Sequence, residues 1–63
     1  MEQNAEAGLL GMLDRLKSAQ RTLLLTAAQS AALPSDGTIR KISELEGAIA
    51  ATEALLSELG EKR

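Results

Sequence analysis

Apolar residues recur along this chain at spacings of three and four, in two blocks separated by the stretch "LPSDGT". In the first block Leu9, Leu13, Leu16, Leu23 and Ala27 keep that rhythm, and Gln20 fills the seam position left between them. Residues three and four apart lie one turn above each other on an α-helix, so these side chains share one face. Met12 and Ala19 widen the stripe, while Asp14, Lys17, Ser18 and Arg21 occupy the other side. The pattern predicts a first amphipathic helix over about residues 5–32. Gly8 and Gly11 each cost up to about 1 kcal/mol relative to Ala, so fraying is expected in its first turns.

The second block is more regular. Ile42, Leu45, Ile49, Thr52, Leu56 and Leu59 are spaced 3, 4, 3, 4 and 3. This predicts a second helix over about residues 38–59, with Gly60 as its C-terminal stop and Lys62 and Arg63 beyond. Between the blocks, about residues 33–37 form the turn: Pro34 disfavours helical geometry at Leu33, and Ser35, Asp36 and Gly37 supply turn chemistry. Two routes lead into the second helix. Pro34 could be its first residue, or Ser35, Asp36 or Thr38 could cap a later start. A start between Ser35 and Thr38 is preferred, because Gly37 is a poor residue for a helix interior. Helices of this length joined by a short loop fold back antiparallel, so the expected architecture is an all-α helical hairpin forming a single domain over residues 1–63.

Two sets of residues fall outside the seams. Leu25 sits opposite the first stripe, and Leu10 and Leu24 lie at its border beside Ala28. On the second helix Gly47, Ala50, Ala51 and Ala54 offer little side-chain bulk, which lets another helix approach closely. Both sets are candidate partner-binding residues, and both point to helix-on-helix association rather than a small-molecule pocket. Composition strengthens that reading. Hydrophobic residues make up 44% of the 63 positions, yet Phe, Tyr and Trp are absent, so any core is built from Leu, Ile, Met and Ala. A chain this short rarely buries enough for independent stability. Completion by oligomerisation or by a partner is therefore expected.

Chemistry is sparse. With no His, Cys or Tyr, the usual general bases and nucleophiles are mostly missing, and Ser and Thr hydroxyls lack an activating base. Glu46 and Glu53, seven apart, share a face, and Glu44 and Glu58 lie nearby, but two helices offer no buried cleft in which carboxylates could converge on a metal. The five glycines form no phosphate-cradling loop. No catalytic residue, metal site or cofactor is expected, and the chain does not read as an enzyme. The net charge is −2 with scattered basic residues, which is no footprint for nucleic acid. The first residues, "MEQNAEAG", are acidic and polar rather than a signal peptide, and the run Leu23–Leu25 is far too short to insert in a membrane. A soluble, cytoplasmic protein is expected.

The stretch "KISELEGAIAATEALLSELGEKR" resembles the second helix of the small type III secretion co-chaperones of the YscE/PscE group. Leu45, Glu46, Gly47, Ala48, Ile49 and Ala50 match their Leu-Glu followed by small residues, and an apolar run follows as it does there. Those relatives carry an aromatic residue early in that helix, where this chain has Ile39. The resemblance implies a helical hairpin that binds a TPR-like helical-repeat chaperone, the pair keeping a needle subunit soluble before export. The alternative is a homo-oligomer, two hairpins forming a four-helix bundle with a structural or regulatory role, as in the plasmid-encoded Rop regulator. There Gln20 and Thr52 could set the register.

Overall fold

The computed structural model describes residues 2–61, with side chains over 5–61. Met1, Lys62 and Arg63 lie outside the described residues, so the basic pair expected beyond Gly60 is not placed. Helix α1 spans Glu2–Ala28 and helix α2 spans Asp36–Glu61, and among the described residues there is no strand. The two helices pack side by side as an antiparallel hairpin measuring 47 × 14 × 14 Å.

At the turn, the end of α1 differs from the periodicity reading and the start of α2 agrees with it. Helix α1 stops at Ala28 rather than near residue 32. Its apolar seam ends at Ala27, and the next seam positions would be Ser30 and Pro34, which give the helix nothing to bury and then forbid its continuation. The chain tightens instead. Gln29 N–H donates to the Thr26 carbonyl and Ser30 N–H to the Ala27 carbonyl, both at 3.2 Å, and Ala32 N–H donates to Ser30 Oγ at 3.1 Å. These i to i−3 bonds satisfy carbonyls that a helix end would otherwise leave open.

Helix α2 starts within the preferred window. Ser35 is its N-cap: the Ser35 carbonyl accepts the first helical bond from Ile39 N–H at 3.0 Å, and Ser35 Oγ accepts from Thr38 N–H at 3.2 Å. The same hydroxyl donates to Thr38 Oγ1 at 3.0 Å, so Thr38 takes the position at which a capping box carries Glu or Gln. Gly37 therefore lies in the first turn, where its lack of a side chain costs least. At the far end Gly60 is not a stop. Glycines here have no positive φ, so Gly60 cannot form a left-handed cap, and α2 continues through it to Glu61. Helix α1 likewise runs through Gly8 and Gly11 from Glu2.

The core is one seam wide. Leu9, Leu13, Leu16, Gln20, Leu23 and Ala27 of α1 are half-buried against Ile42, Leu45, Leu56 and Leu59 of α2, and Ile49 and Thr52 are buried at its centre. Met12 and Ala19, expected to widen the stripe, are exposed. The cause is geometric: with a single neighbouring helix, only the two innermost heptad positions are covered. No helix among the described residues is long and apolar enough to cross a membrane.

Candidate functional site

Three polar residues span or lie within the seam, and each is satisfied differently. Thr52, 5% exposed, donates from Oγ1 to the Ala48 carbonyl at 2.7 Å within its own helix. Its hydroxyl is spent locally, so it contributes no register information. Gln20 reaches across. Its Nε2 donates to Glu46 Oε1 at 2.8 Å and to the Ile42 carbonyl at 3.4 Å. One helical turn earlier on α1, Lys17 Nζ pairs with Glu53 Oε2 at 3.2 Å. Those side chains are about half exposed, so the pair contributes no more than about 1 kcal/mol. Together the two contacts fix which turn of α1 lies beside which turn of α2. Glu46 and Glu53 thus belong to the hairpin itself. The signal was present in the sequence, because residues flanking antiparallel seams face each other.

The partner-binding candidates are all on the surface, and they fall on separate sides. Leu10, Leu24 and Leu25 of α1 are exposed, as are Gly47, Ala50, Ala51 and Ala54 of α2. By helical position Gly47, Ala50, Ala51 and Ala54 cluster on the side of α2 turned away from the seam. Leu24 and Leu25 instead line an open groove between the helices, over Ile49, with Lys17, Arg21, Glu46 and Glu53 at its rims. The structure therefore does not join the α1 leucines and the α2 small residues into one patch.

Gly47 is the informative member of the α2 set. A Cβ added there would meet nothing within 4 Å, so the hairpin itself has no packing need for glycine. Gly47→Ala is expected to stabilise the isolated hairpin by about 0.5–1 kcal/mol, since Ala loses less backbone entropy in a helix. A thermal melt that falls on this substitution would show a close contact at Gly47 within the hairpin.

Sequence reasoning missed a further set of exposed apolar residues. Leu33 in the turn is 83% exposed, and Ile39, Leu55 and Met12 also face outward. Leu33 lies in the turn outside both helices, and Ile39 and Leu55 lie off the α2 seam. Among the described residues no three acidic side chains gather closely enough to hold a metal ion. The arrangement offers exposed helical surface for contact.

Family models, curated proteins and solved structures were all compared with the chain. None matches. The fold and its surfaces accordingly carry the functional reading.

Proposed function

We propose that this chain is a small non-catalytic co-chaperone or adaptor whose hairpin is completed by another protein. The observation that carries the reading is the imbalance of burial. Ile49 is the buried aliphatic side chain among the described residues, while seven large apolar side chains, from Leu10 to Leu55, stay exposed. The accessible surface is 4837 Å². A compact protein of this mass exposes roughly 3,900 Å², so the hairpin shows roughly 900 Å² more. That excess is close to the roughly 800 Å² that each partner buries in an ordinary protein interface.

The class of partner follows from the resemblance of residues 45–59 to the YscE/PscE co-chaperones: a TPR-like helical-repeat chaperone, acting with this chain in the cytoplasm to hold a type III secretion needle subunit soluble before export. The outward side of α2 suits such a partner. Gly47, Ala50, Ala51 and Ala54 would let a partner helix approach its backbone, and Gly47 has no role inside the hairpin that explains it. Co-expression with a TPR-like chaperone and a needle subunit encoded beside it is the test. A defined complex by size exclusion, with the needle subunit unpolymerised, is expected. Failure of the chain to join that complex would reject this assignment.

A further inference from the structure

The groove over Ile49 has rims of opposite sign. On the α1 side stand Lys17 and Arg21, one turn apart, and on the α2 side stand Glu46 and Glu53. Asp14 is not among the groove's lining residues. Between the rims the lining is Ile49, Leu24, Leu25 and Gln20, whose amide is bonded to Glu46, and Leu24 is 49% exposed. From these features we infer that a second copy of this chain covers the groove, related by a two-fold axis parallel to the helices, so that both interhelical loops lie at the same end of a four-helix bundle.

Charge selects both the occupant and the axis. With the two-fold along the helices, α1 of one copy lies over α2 of the other at the same height. Lys17 and Arg21 then face the partner's Glu53 and Glu46, twice over, joining the Lys17–Glu53 pair that each copy already holds and giving Arg21 an acidic neighbour in Glu46. A two-fold axis running across the helices instead lays α1 on α1 and α2 on α2. Full overlap would then set the acidic rim of one copy on the acidic rim of the other, and Lys17 beside its own equivalent. Like charges juxtaposed in an interface oppose it, and opposite ones fix register. Self-complementary contact is also what a two-fold interface requires. Leu24 and Leu25, both about half exposed, supply the apolar surface such a contact would cover. This inference does not rest on the co-chaperone reading: it occupies the groove face and leaves the outward side of α2 free.

The test uses the full chain, which has no cysteine of its own. Ala31→Cys in the exposed turn provides a single spin-label site, and dipolar spectroscopy reads the distance between labels in two copies. Loops at one end give a separation set by the packing distance of adjacent helices, about 10 Å plus the label linkers. Loops at opposite ends give a separation approaching the 47 Å length of the hairpin. The short distance is expected. The long one overturns the proposed axis, and absence of any coupling, with a monomer mass in sedimentation, overturns the second copy. The face is tested separately with Leu24→Glu, which should weaken dimerisation about tenfold or more while circular dichroism shows helicity retained. Helical Leu24→Glu with wild-type dimer affinity would move the interface off this groove.

Discussion

Ile49→Asp should abolish the cooperative melting transition of the hairpin, or lower it far below that of the wild type. Ile49 is 5% exposed and sits at the midpoint of a seam that is one residue wide on each helix. Removing its side chain forfeits the burial of one large aliphatic group, and the new carboxylate sits in a seam with no basic residue, Lys17 and Arg21 standing only at the rims of the groove above it. Together these losses come to roughly 3–5 kcal/mol, a large part of what a small domain has in total. The same change at Leu45 or Leu56 should do less harm, because both are half-buried and a carboxylate there can reach water. Circular dichroism against temperature separates the cases. An unchanged transition in Ile49→Asp would place the core elsewhere.

Ala54→Arg should have the opposite character: a hairpin as helical as the wild type that no longer recovers the helical-repeat partner proposed above. Ala54 is exposed on the outward side of α2, and Arg is nearly as good a helix former as Ala. The substitution therefore leaves the seam alone. Where a partner helix lies close to the α2 backbone, the long charged side chain clashes and strands a charge, which discriminates strongly against binding. Glu44→Arg, exposed and beyond the Gly47 end of the stripe that runs through Gly47, Ala51 and Ala54, is the control and should recover partner as the wild type does. Undiminished recovery by Ala54→Arg would shift the interface to the Leu10, Leu24 and Leu25 side of α1.

The contrast between these two substitutions reflects how the chain encodes its structure. Heptad spacing was enough to place every seam residue from Leu9 to Leu59, because the face a helix buries follows from periodicity, while the axial register is marked by the Gln20–Glu46 and Lys17–Glu53 contacts. The end of α1 was not legible from alanine-rich composition. Ala31 and Ala32 favour helix, but helix stability in so short a pair comes from packing, and the seam had already run out at Ala27. Gly60 misled for a related reason: glycine marks a helix end only where the chain takes a positive φ, and here it does not. The outward candidates were found one helix at a time. Their separation onto different sides became visible only when α1 and α2 were set against each other, and the same is true of the oppositely charged rims. Glu46 and Glu53 read as plain surface carboxylates until Gln20 and Lys17 were seen to face them.

Reliance of this hairpin on another chain is tested most directly by melting the purified protein over about a hundredfold range of concentration, with sedimentation at each step. Association favours the folded state by mass action, so the transition should move steadily to higher temperature as concentration rises, alongside a shift from monomer to dimer mass. A compact monomer at every concentration, with a high and constant melting temperature, would contradict it.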